Sequence, residues 1–99
     1  MRTLFRASFP VEASNAAIKD GRLEKLLQAT VERLKPEACY FFAQDGKRGG
    51  VFFFDMKDSS DIPSIAEPFF LELNASVEFL PVMNLDDVRA GLEKAGRNR

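Results

Sequence analysis

Histidine and tryptophan are both missing from this chain of 99 residues, and cysteine occurs once, at Cys39. Without histidine there is no imidazole to bind a metal or a haem, and no default general base near neutral pH. A lone cysteine closes no internal disulfide and builds no cysteine-based zinc site. The longest apolar stretches fall far short of the ~18–20 residues of a membrane span. Charge occurs early, at Arg2 and Arg6, so the first residues do not read as a signal peptide. No excess of one sign is present either. Fourteen basic side chains stand against fifteen acidic ones, without a block of either, which argues against a nucleic-acid surface. The expectation is a cytoplasmic chain without metal, cofactor, nucleic-acid or membrane partner.

What is present is apolar and aromatic. Hydrophobic residues make up 45% of the chain and ten phenylalanines are among them, enough for one packed domain over 1–99. Residues 3–9 alternate like a strand and close at Pro10. A helix follows, with Ser14 or Asn15 as its expected cap and a kink or second start at Asp20-Gly21. Leu23, Leu26, Leu27, Thr30, Val31 and Leu34 then recur at helical period until Pro36. Residues 38–44 read as an aromatic second strand, and 45–50 as a hairpin loop. Residues 51–56 form a third strand. A helix capped by Ser60 or Asp61 carries Pro63 in its first turn, and Pro68 should kink or divide it. Residues 76–83 make a fourth strand, and a short helix from Leu85 to about Ala95 follows, capped by Asn84.

The order β-α-β-β-α-β plus a C-terminal helix predicts an α+β, ferredoxin-like domain. Right-handed crossovers favour a four-stranded antiparallel sheet in the order 4-1-3-2, and Pro81 suits an edge strand. Two crossover helices cover only one face of such a sheet. Yet Val51 and Phe53 oppose Phe52 and Phe54, and Tyr40 and Phe42 oppose Cys39 and Phe41, so both faces are apolar. Exposing several such side chains forgoes about 1.5–3 kcal/mol each, which predicts a homodimer through the second face.

Asn15-Ala16-Ala17-Ile18-Lys19-Asp20-Gly21, Pro36-Glu37-Ala38-Cys39-Tyr40-Phe41, Glu67-Pro68-Phe69-Phe70 and the run 75–83 resemble an uncharacterised family of short bacterial proteins. The pattern as a whole resembles the dimeric α+β barrel superfamily, which includes muconolactone isomerase-like proteins and small cofactor-free monooxygenases. That resemblance implies fold and dimerisation. By analogy it implies a cofactor-free enzyme, isomerase-like or monooxygenase-like, acting on a small apolar or aromatic molecule. The alternative is a non-catalytic ligand-binding or interaction module whose dimer is the functional unit. No catalytic residue carries over.

The polar side chains set inside apolar strands are the candidate ligand-binding residues: Arg6, Tyr40, Asp55 and Glu78. The first and last two could form an anion-holding arginine beside a carboxylate; a structural ion pair is the plainer reading. Tyr40 is a possible hydrogen-bond donor or a half-buried core tyrosine, and Cys39 an inert buried thiol. The loop Gly46 to Gly50 lacks the strand-loop-helix context of a phosphate loop and reads as a mobile hairpin. The expected pocket lies between the sheet and its helices. Pro68 there would free a carbonyl near Ser64 to face the cavity, and Gly21 would thin the opposite wall.

Overall fold

Phe5, at the centre of the first strand, has a phenylalanine on either side and a fourth ring above it. In the computed structural model, which describes residues 1–97, it stacks on Phe79 at 4.7 Å and on Phe52 at 5.5 Å, and Phe69 meets it edge-on at 5.0 Å. Phe5, Phe52 and Phe69 are fully buried. The three strand rings come into line because Phe5 is the register partner of both Phe52 and Phe79, and directly opposed residues share a face.

Around this row the elements run β1 (Arg2–Phe9), α1 (Val11–Lys19), α2 (Arg22–Leu34), β2 (Ala38–Gln44), β3 (Lys47–Asp55), α3 (Asp61–Leu73), β4 (Ser76–Pro81) and α4 (Leu85–Arg97). All strand pairs are antiparallel, and the sheet order is β2-β3-β1-β4, which read from the other edge is 4-1-3-2. Thr3, Phe5, Ala7 and Phe9 alternate inward on β1, joined by Phe52 and Phe54 of β3. Ile65, Ala66, Phe69 and Leu73 of α3 close over them. Pro81 ends the edge strand β4, where its missing N–H costs no ladder bond to a second neighbour.

The first crossover is two helices, the second start that Asp20-Gly21 suggested, because Gly21 takes a positive φ of 81° between them. Other local expectations are corrected. α1 begins at Val11 rather than beyond Ser14 or Asn15. Those two side chains serve Arg48 instead: its Nη1 donates to Ser14 Oγ at 2.6 Å and to Asn15 Oδ1 at 2.9 Å. A β3 side chain therefore pins the first turn of α1.

The hairpin is also shorter than the composition suggests. Only Asp45 and Gly46 turn the chain, with φ of 56° and 74°, the paired positive values of a type I′ hairpin. Lys47 to Gly50 already belong to β3, so the proposed mobile loop is strand. Gly49 and Gly50 are paired with Phe42 and Phe41. The rings lie over the bare backbone, and a Cβ at Gly50 would stand 2.8 Å from the Phe41 ring. One at Gly49 would stand 3.0 Å from both the Phe42 ring and the Ala7 carbonyl oxygen. Aromatic cover of this kind restores the contact that strand glycine forfeits.

α3 runs unbroken through Pro68, contrary to the expected division. Proline removes the N–H that would bond the carbonyl four residues earlier, that of Ser64. Arg33 of α2 replaces it: Nη1 donates to the Ser64 carbonyl at 3.0 Å and Nη2 to Ser64 Oγ at 2.6 Å. The carbonyl faces α2, and Ser64 and Pro68 line only a small cleft of about 100 Å³ between the two helices.

Two measurements check this account. Gly49→Ala should lower the urea midpoint by the equivalent of about 1–3 kcal/mol, since the rigid Ala7 carbonyl cannot yield, whereas Gly91→Ala, in open space on α4, should raise or preserve it. Arg33→Ala should cost about 0.5–1 kcal/mol in the native background and less in Pro68→Ala, where the restored N–H retakes the Ser64 carbonyl; equal costs in both would refute the substitution of one donor for the other.

Candidate functional site

The phenylalanine row and α3 fill the centre of the covered face, and the concavity on that side lies at its β2 edge, between α1, α2 and Phe41, with Gly21 in its wall as expected. All four candidate residues stand on the other face, which no helix covers. Register places them in rows. Ser76, Ser8, Gly49 and Phe42 cross the sheet first; Glu78, Arg6, Val51 and Tyr40 come next; Leu80, Leu4, Phe53 and Ala38 form the third. Arg2 and Asp55 are opposed beyond them.

The third row is the apolar one. Leu4 is only 9% exposed although no element lies over it, since Phe53 and Leu80 flank it on either side. The second row is mixed. Arg6 Nη1 approaches Glu78 Oε1 at 3.8 Å, both side chains about half exposed, which is the arginine–carboxylate neighbourhood the strand order predicts. At that exposure the pair contributes little to stability. Tyr40 is 64% exposed and so is not the half-buried core tyrosine expected of it. The first row is shallow, because Ser8 and Gly49 leave a hollow of about 220 Å³ walled by Arg6, Phe42 and Glu78 and by Gln44, Asp45, Lys47 and Arg48 of the hairpin.

Asp55 stands apart from the other three. Its carboxylate accepts from Lys57 Nζ at 2.6 Å and from the Met1 ammonium at 2.6 Å. Lys57, and after it the chain terminus, hold its pKa down to about 2. Asp55 clamps the start of β1 to the end of β3. Cys39 lies on the covered side in register with Phe52, where partial burial raises its pKa and keeps it from thiolate chemistry.

The groove at the β2 edge is the larger concavity: Leu23, Leu27 and Val31 of α2, with Ile18, Gly21 and Phe41, surround about 770 Å³ beside the edge strand β2. Leu23 and Leu27 are half-buried against the core as well. Helical period alone marks an apolar stripe and does not say what it packs against. Among the described residues no cluster of cysteine, aspartate and glutamate is arranged to hold a metal ion, and no helix is long and apolar enough to cross a membrane. No protein-family model and no curated protein matches the chain.

The Asp55 clamp gives a pH test. A carboxyl group whose folded pKa lies below its unfolded value of about 3.9 stabilises the fold above that value, and the contribution disappears as pH falls through about 2. Urea midpoints taken between pH 5 and pH 2 should therefore fall more steeply for the native chain than for Asp55→Asn.

Proposed function

We propose that this chain works as a homodimer of the dimeric α+β barrel kind, two ferredoxin-like sheets meeting through their uncovered faces, and that it binds a small, mainly apolar or aromatic molecule between them. The carrying observation is the arrangement of rows. Leu80, Leu4 and Phe53 form an apolar band with no helix over it, while the neighbouring rows place Arg6 and Glu78 beside a hollow, with Tyr40 on the same face. The band supports contact between two identical faces, because apolar area left in water is the strongest drive for association a face can offer. The hollow supports a ligand. Its floor of Ser8 and Gly49 is too low to meet an opposing sheet that already touches the apolar band.

At about 220 Å³ the hollow is smaller than the ~300–1,000 Å³ typical of ligand pockets, and a second face would roof and enlarge it. Arg6, Lys47 and Arg48 offer donors and Glu78 and Asp45 offer acceptors to the polar edge of a ligand, and Phe42 offers a ring. A binder is favoured over an enzyme because no hydroxyl of the hollow is hydrogen-bonded to a carboxylate among the described residues.

Sedimentation equilibrium at micromolar concentration should give twice the chain mass. Phe53→Lys, which places a charge in the apolar band, should weaken the dimer at least a hundredfold; a monomeric native chain overturns the proposal. Calorimetry with a panel of small aromatic molecules should find saturable binding that Arg6→Ala weakens at least tenfold without dissociating the dimer. Turnover of a panel member would make the protein an enzyme. Failure of every member to bind would leave the dimer itself as the functional product.

A further inference from the structure

α4 buries none of its residues, and Leu85 and Leu92 are 63% and 68% exposed. It is nevertheless well formed. Asn84 Oδ1 accepts from the Asp87 N–H at 2.8 Å, and Asp87 Oδ2 accepts in return from the Asn84 N–H at 3.0 Å, a reciprocal cap. Leu85, Val88, Leu92 and Ala95 lie along one side of it. A chain of this length packed on itself has a radius of gyration near ~13 Å. Here it is 16.0 Å, with a longest dimension of 55 Å, because α4 stands off the body. Thirteen residues form a marginal helix in water without a surface to pack on, so a capped amphipathic helix implies an occupied surface.

The groove beside β2 has the matching form. Leu23, Leu27 and Val31 extend ~12 Å along α2, and Leu85, Val88 and Leu92 extend ~10.5 Å along α4. Phe41 closes the groove and is 52% exposed. Its rim carries Glu24 and Glu32 and no cation, while Arg89 flanks the α4 stripe. The owner's own α4 does not fill it: the groove is lined by α1, α2 and β2, and α4 leaves β4, the opposite edge of the sheet, three strand spacings or ~14 Å away.

We infer that the groove formed by α1, α2 and Phe41 receives α4 of a second copy of this chain. The inference rests on the homodimer proposed above and adds a second contact to it. A two-fold axis parallel to the strands, lying between the faces, sets β4 of one copy over β2 of the other, so α4 leaves its own sheet beside the partner's groove.

Full-length chain with Cys39→Ala, Val31→Cys and Leu92→Cys, treated with a short bis-maleimide, should give a covalent dimer. A mixture of the two single-cysteine chains should give the same product. An intrachain link, or no link while sedimentation still reports a dimer, overturns the arm and leaves the sheet-face dimer standing; a sedimenting monomer overturns both. Leu92→Asp replaces a side chain that touches no core residue and leaves the subunit fold intact. It should weaken the dimer at least tenfold, and an unchanged dissociation constant would also overturn the arm.

Discussion

The packing of Phe5 between Phe79 and Phe52 is the constraint on which the rest of the structure depends. Three rings can stack across three strands only if one register holds on both sides of β1. A slip of one residue on either side would send a phenylalanine to the uncovered face and leave Phe69 of α3 without its edge-on partner. Register in turn assigns every other side chain. It puts Arg6 opposite Glu78, gathers the apolar band and leaves the hollow at the glycine end. The site on one face of the sheet is thus a consequence of packing on the other.

Much of this was legible from strand alternation and turn chemistry. The opposition of Phe52 and Phe54 to Val51 and Phe53 needs only a period of two, and a turn after Gln44 needs only the turn-forming residues there, although composition overstates its length. Less visible were features in which a distant side chain overrides a local preference. Ser14 and Asn15 have the composition of a helix cap, but the Arg48 guanidinium enlists them inside the first turn. Pro68 has the composition of a break, but Arg33 supplies the missing donor. Gly49 and Gly50 read as loop until Phe41 and Phe42 lie over them. Alternation within each strand could not put Arg6, Tyr40, Asp55 and Glu78 on one face, because that depends on the register between strands.

The two helix layers are unequal in what they cover. α3 presents Ile65, Phe69 and Leu73 squarely to the phenylalanine row, whereas α2 turns part of its stripe outward. The glycine at the α1–α2 junction permits this, since its positive φ lets α2 start in a direction independent of α1. Arg22 then fixes that direction by donating through Nε to Asp20 at 2.6 Å and through Nη1 to Glu72 of α3 at 2.8 Å. The groove beside β2 lies along the outward part of that stripe, with Leu23, Leu27, Val31 and Phe41 as its walls.

β2 is where both proposed contacts meet. It is an edge strand, and an unpaired strand edge invites association unless something covers it. Its side chains divide between the two surfaces: Tyr40 and Phe42 belong to the uncovered face, and Phe41 to the groove. Successive aromatic residues on a strand necessarily point to opposite sides, so a run of three serves two surfaces at once. A second copy that seats its sheet on one side and its α4 on the other would enclose this strand from both directions. The run Tyr40-Phe41-Phe42, unusual for a solvent-facing edge, then has one physical reason: each ring occupies a surface that the single chain leaves unfinished.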